Sequence, residues 1–191
     1  RVKCKFCAFA RTSKQEGAEL WDIDDLVAHA QKVREHQDFT EIHMVGGENP
    51  HLDFSYYVDV TRALRKGLPD VHLKLFTASE IHHMTKLSGL SHEEVLDELI
   101  AAGLDTLPGG GAEVFAPRVR KIIAPGKEPA EYWFRTHRAA HERGMRTHAT
   151  MLYNHVEPYE ERIDHLLRLR LTDSTTFETG AVRLFLQPDH G

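Results

Sequence analysis

Cys4 and Cys7, separated by Lys5 and Phe6, are the residues of this sequence best suited to chemistry, because two thiolates at C-x-x-C spacing on a loop can grip one metal centre. Three chemistries share the spacing: structural zinc, a thioredoxin-like dithiol and an iron–sulfur cluster. Zinc needs two further ligands, and no second C-x-x-C exists. Among fourteen histidines, His137 and His141 lie four apart on one helical face, although solvated surface histidines are the simpler reading. A dithiol of the thioredoxin kind should open a helix directly after a strand, and no strand precedes Cys4. With only two cysteines in 191 residues and no secretory pattern, a disulfide framework is disfavoured and a metal or redox role favoured.

Two glycine-bearing segments follow apolar runs: Val45-Gly46-Gly47-Glu48-Asn49-Pro50 and Leu107-Pro108-Gly109-Gly110-Gly111-Ala112-Glu113. Glycine lets a backbone approach a ligand closely, and the C-terminal ends of parallel strands form the binding face of such folds. A flexible turn is the competing reading of the triple glycine. Glu113 could accept a hydrogen bond from a ribose hydroxyl or hold a substrate. Glu80, His82 and His83 follow the run that begins at Val71; Glu80 is a candidate contact or a helix cap, and at most one of the two histidines can reach the lumen. Arg120 and Lys127 flank Pro125-Gly126 and could bind carboxylates, with a solvated basic edge the simpler expectation. Tyr132, Trp133 and Phe134 are expected to pack in the core.

The elements that must position these residues alternate. Apolar runs begin near Glu41, Val71, Leu104, Met145 and Ala181, and helical patterns span Asp22–Glu35, Ser55–Lys66, His92–Ala102, Pro129–Arg143 and Tyr159–Leu171. Ser91 with Glu94 forms a capping-box signature, and Gly103 and Gly144 are stop signals. Alternating elements imply an α/β fold with a parallel sheet, either a barrel or an open doubly wound sheet. His72 and Lys74 alternate with aliphatic residues, which suits a barrel strand with polar side chains turned into the lumen. The number of repeats falls short of eight, so a truncated barrel is expected. The net charge of −5 is dispersed, which disfavours nucleic acid as a partner. No apolar run approaches the roughly 20 residues of a membrane span, so no membrane partner and a cytoplasmic location are expected.

A resemblance sharpens this. Arg1 to Phe9 is similar to the latter part of the radical S-adenosylmethionine (SAM) motif C-x-x-x-C-x-φ-C, with Phe6 as the aromatic residue and the first cysteine expected one position before Arg1. Gly46-Gly47 resembles the segment that binds the methionine amino group of SAM. Pro108 to Glu113, together with Leu73 to His83 and Ala149 to Glu157, resembles the branch of that family acting on futalosine compounds in menaquinone synthesis, the synthases more than the cyclases. The resemblance covers Arg1 to about Arg170; beyond it Thr172 to Pro188 match loosely, and Arg183 falls in a strand expected to be buried.

It implies a (β/α) barrel of the radical SAM type, truncated at both ends in this chain, with a cluster loop at 1–18 and strand–helix repeats over 19–191 as one domain. It further implies a [4Fe–4S] cluster with Cys4 and Cys7 as two of three thiolate ligands, the open iron chelating SAM. Phe6, Gly46, Gly47, Glu80, Gly109, Gly110, Gly111 and Glu113 become candidate cofactor contacts, and Glu80 and Glu113 candidate catalytic residues. The implied substrate is a carboxylated aromatic enol ether, and the electron comes from a donor such as flavodoxin or ferredoxin. A futalosine cyclase is the alternative within the family; a zinc-stabilised binding module is the alternative outside it.

Overall fold

The computed structural model describes residues 4–12, 15–176 and 182–188. Four strands, β1 (Glu41–Met44), β2 (His72–Leu75), β3 (Thr147–Tyr153) and β4 (Val182–Pro188), are separated by one or more of seven helices among these residues. The helices are α1 (Ile23–His36), α2 (Phe54–Gly67), α3 (Ala78–Ser88), α4 (His92–Ala102), α5 (Pro117–Ile123), α6 (Ala130–Glu142) and α7 (Tyr159–Thr176). All strand pairing is parallel, β1 with β2 from Glu41↔His72 to Met44↔Leu75 and β3 with β4 from Thr147↔Val182 to Tyr153↔Pro188.

The strand expected near Leu104 shrinks to a two-residue crossing that joins these pairs. Thr106 bridges Lys74, Leu107 bridges Thr147, and the His148 N–H donates to the Leu107 carbonyl at 3.0 Å. Pro108 has no N–H to extend this ladder, and the glycines after it turn the chain away. The spatial order is therefore β1, β2, residues 104–107, β3, β4, in chain order and with helical crossovers, as parallel connections require. The side-chain burial expected of Arg183 lies outside the described residues, as do the structures of Arg1 to Lys3 and Ala181.

Local chemistry explains the helix limits. At α4 the capping box is complete, the Ser91 hydroxyl accepting from the Glu94 N–H and the Glu94 carboxylate from the Ser91 N–H, and Gly103 ends the helix at φ 114°. Gly144, at φ 73°, follows α6 in the same way. Two helices were not anticipated. α3 carries its own capping box, Thr77 with Glu80, and stops at Gly89 with φ 74°. α5 is short and starts on Pro117, whose missing N–H costs nothing at a helix's first turn.

The main core lies between β1–β2 and helices α2 to α4, where Leu64, Leu73, Leu75, Ile81, Leu96 and Leu99 are fully buried. On the opposite face of β2, His72 bonds Thr106 Oγ1 at 2.8 Å and Lys74 pairs with Glu41, so the alternation seen in the sequence does separate an aliphatic face from a polar one. A second core gathers Phe115, Trp133, Phe134, Ala149 and Leu169. Trp133 and Phe134 pack as expected, whereas Tyr132 remains 36% exposed and lies over the His82 ring with centroids 4.0 Å apart.

His137 and His141 are both fully buried, which overturns their reading as surface histidines. His137 stacks on Trp133 at 3.7 Å and is pushed well below its ordinary pKa by burial, while His141 bonds Thr147 Oγ1 at 2.8 Å. Among the described residues no three His, Cys, Asp or Glu side chains converge on a metal position, and no helix is long and apolar enough to cross a membrane.

Candidate cluster and cofactor site

The cysteine loop is two consecutive turns, closed by the Cys7 N–H on the Cys4 carbonyl (3.3 Å) and the Ala10 N–H on the Cys7 carbonyl (3.2 Å). The Lys5 N–H donates to the Ile123 carbonyl at 2.8 Å and so fastens the loop to the end of α5. Cys4 packs against the small core of Val114, Ala116, Val119, Ile123, Ala124 and Met151. Both thiols are free and partly buried, and they line an open cavity of about 800 Å³ whose wall includes Arg11 and Pro125. Burial pushes the Cys4 thiol up, and the nearby Lys127 ammonium opposes that rise. Two free thiols on one cavity wall are soft donors, which fit an iron–sulfur centre and not a hard cation. Phe6, between them, is 37% exposed.

Glu80 joins two of the loops beyond the strands. Its Oε1 accepts from the Gly46 N–H at 2.8 Å, and its Oε2 accepts from the N–H and hydroxyl of Thr77, each at 2.8 Å. Burial raises the pKa of this carboxyl, and those hydrogen bonds oppose it. Glu80 is thus both the helix cap and a clamp on the Gly46 loop. A Cβ at Gly46 would sit 3.3 Å from Glu80 Oε1, but one at Gly47 would meet nothing within 4 Å, so Gly47 presents open backbone. His83 bonds the Asn49 carbonyl at 3.0 Å, while His82 turns away to His92 at 3.2 Å; only one of the pair faces the loops.

The triple glycine is a packed joint, neither a flexible turn nor open backbone along its length. A Cβ on Gly109 would fall 2.5 Å from the Ala149 carbonyl carbon, and one on Gly110 would fall 2.8 Å from Thr77 Cγ2. Gly111 adopts φ 97°. Thr150 Oγ1 donates to the Gly109 carbonyl at 2.9 Å, and Arg120 donates to the carbonyls of Gly111 and Ala112 at 2.9 and 3.0 Å. Arg120 is 8% exposed, and Lys127, with its side chain 9% exposed, bonds Glu113 Oε1 at 2.8 Å. The expectation of a solvated basic edge fails for both, because α5 folds the chain back so that these cations meet carbonyls and a carboxylate. Glu113 Oε2 is buried without a hydrogen-bond partner.

Strain marks the same rim. Phe76, Glu113 and Asn154 have φ of 61°, 42° and 75°; Phe76 and Asn154 directly follow β2 and β3, and Glu113 ends the glycine loop that follows the 106–107 crossing. Non-glycine residues occupy that region at a cost, and such outliers gather at functional sites. Sequence reasoning missed Glu157, which organises the loop after β3. Burial opposes its ionisation, yet N–H donation from Asn154 and His155 and the adjacent His155 ring overcome it and hold the carboxyl at about 2. Arg162 adds a bond at 2.7 Å. Because the folded value lies below the ordinary 4.5, the stabilisation is complete above pH 4.5 and is lost as pH falls through 2. Urea midpoints for Glu157→Gln should lie below wild type at neutral pH and converge on it toward pH 2; a constant gap across that range would contradict this role.

Residues 1–169 match the family model of the radical SAM superfamily, and the chain belongs to that superfamily, whose members use a [4Fe–4S] cluster and SAM. It is 50% identical over 189 residues to the aminodeoxyfutalosine synthase of Thermus thermophilus, covering 98% of this chain and 50% of that protein. Against the aminodeoxyfutalosine synthase of Streptomyces coelicolor it is 44% identical over 97% of this chain and 47% of that protein. A 5-amino-6-(D-ribitylamino)uracil–L-tyrosine 4-hydroxyphenyl transferase of Methanosarcina barkeri is 36% identical over 96% of this chain and 46% of its own length. The chain spans about half the length of the curated relatives it matches. Similarity to the two synthases runs beyond Arg170, further than the motifs alone indicated.

Proposed function

We propose that this chain is the cluster-bearing part of an aminofutalosine synthase of menaquinone biosynthesis. The enzyme would join the 5′-deoxyadenosyl group of SAM to the enolpyruvyl double bond of 3-[(1-carboxyvinyl)oxy]benzoate, with rearrangement and loss of the carboxyl group, giving 6-amino-6-deoxyfutalosine. The observation that carries this is 50% identity to such a synthase over 98% of the chain. The cyclase alternative has no comparable support.

In this reading Cys4 and Cys7, with a third cysteine preceding Arg1, hold the cluster. When bound, it supplies one electron that breaks a sulfur–carbon bond of SAM. The residues described above bind and orient. The loop from Val45 to Asn49, held by Glu80, offers the Gly47 backbone to the methionine end of SAM. Gly109 to Gly111, fixed against β3 and α3, place Glu113 where its free oxygen can accept a hydrogen bond from SAM or substrate. Phe6, between the two cysteines, would lie beside the bound cluster and add an apolar group to its surroundings. The chain forms one domain, a cluster loop at 1–18 and repeats over 19–191, within a barrel that further strands of the full-length protein close. The protein is cytoplasmic and takes its electron from a flavodoxin or ferredoxin.

Anaerobic incubation of the full-length protein with SAM, a reductant and each candidate substrate tests this. Conversion of SAM and the enol ether into a single adduct supports the synthase. Release of free 5′-deoxyadenosine with cyclisation of dehypoxanthine futalosine would replace it with the cyclase.

A further inference from the structure

The pair formed by Lys127 and Glu113 is placed to act on the cluster, not only on the loop it braces. Lys127 lies two residues beyond Pro125, which lines the cluster cavity, and its N–H bonds the Ala124 carbonyl at 3.0 Å. Cys4 packs on that same stretch, against Ile123 and Ala124, and the Lys5 N–H is bonded to Ile123. The ammonium and the carboxylate are both about nine-tenths covered, so water screens neither well. The pair thus sits behind the stretch on which Cys4 packs, and its two charges act on the Cys4 sulfur with opposite sign. Arg120, the third buried charge here, also acts on Glu113 and Cys4, but its guanidinium is held by the carbonyls of Gly111, Ala112 and Glu128 and stays the same in the Lys127 and Glu113 variants.

We propose that Lys127 and Glu113 are positioning residues that set the reduction potential of the cluster, Lys127 raising it and Glu113 lowering it. This rests on the assignment of Cys4 as a cluster ligand. Reduction adds one electron, delivered by the one-electron donor, to a centre already made negative by thiolates. A buried cation stabilises the added charge and a buried anion opposes it, and local charge is among the factors that tune such potentials. The pairing makes the effect adjustable. Glu113 keeps the lysine from raising the potential so far that the reduced cluster loses its drive to pass the electron on.

Redox titration of the full-length, anaerobically reconstituted protein, followed by the electron paramagnetic resonance signal of the reduced cluster and carried out without SAM, tests the proposal. Lys127→Met should shift the midpoint to more negative potential and Glu113→Gln to more positive potential. Each shift should be at least tenfold in the reduced-to-oxidised ratio at fixed potential, which is about 59 mV for a one-electron couple. Lys127→Arg should return toward wild type. Packing damage alone has no reason to move the two variants in opposite directions. Shifts of the same sign, or unmoved midpoints in variants with wild-type iron content, would overturn the proposal, as would loss of the cluster in both variants. A wild-type protein that takes up no cluster would instead overturn the ligand assignment and this inference with it, so the two failures are distinguishable.

Discussion

Cys7→Ala in the full-length protein is expected to abolish the broad visible absorption of the reconstituted cluster and to lower SAM cleavage by more than about 100-fold. Even outer-shell partners of a metal centre cost roughly 10- to 100-fold when removed, and a direct thiolate ligand should cost more. Stability should hardly change. Cys7 belongs to none of the buried apolar clusters, and its loop is fastened through Lys5 and Ile123, so the apo variant should stay within about 0.5 kcal/mol of wild type. Cys4→Ala should differ in this respect, because the Cys4 side chain also packs against the core of Val114, Ile123 and Met151. An iron content unchanged in Cys7→Ala would remove Cys7 from the ligand set.

Gly109→Ala is expected to destabilise the protein by roughly 3 kcal/mol, the upper end of ordinary overpacking, because the added carbon would lie 2.5 to 2.7 Å from the backbone of Ala149 and Thr150. Those atoms belong to β3, which is paired to β4 on one side and bridged to Leu107 on the other, so no side chain can swing away. Gly47→Ala is the informative control. With nothing within 4 Å of its Cβ, it should leave the urea midpoint unchanged yet weaken SAM binding if that backbone faces the cofactor. Equal stability losses in the two variants would show that the first glycine loop is as tightly packed as the second.

The sequence carried local signals well and long-range ones poorly. The limits of α4 could be read because Ser91, Glu94 and Gly103 act within a few residues of one another. α3 carries the same signal in Thr77 and Glu80, and the expectation that Glu80 is either a contact or a helix cap includes the cap that the structure shows. The helical pattern after it, however, is not distinct enough to predict α3. The Glu80 carboxylate caps α3 and holds the Gly46 loop together, a double role that depends on a residue 34 positions away. The pairing of Lys127 with Glu113 was invisible for a similar reason, since it depends on α5 returning the chain. The burial of His137 and His141 was within reach, because both continue the stripe of Trp133 at four-residue spacing along α6. A helical periodicity assigns residues to a shared face; a large apolar member of that face says which way it turns.

Among the candidate site residues, Glu80 lies in the first turn of α3 and braces the Gly46 loop, and Glu113 pairs with Lys127. The glycines divided: Gly109 and Gly110 are filled against protein neighbours, whereas Gly47 is open. What residue type alone could not separate was a glycine needed for close packing from a glycine needed for a ligand, because both demand the absence of a Cβ.

The most direct test of the cluster assignment is the electron paramagnetic resonance spectrum of the full-length protein, reconstituted anaerobically, reduced, and recorded with and without SAM. A [4Fe–4S] signal that changes on adding SAM, and that vanishes in Cys7→Ala, is the expected result. A protein that binds zinc in place of iron, or a cluster signal indifferent to both SAM and Cys7, would contradict it.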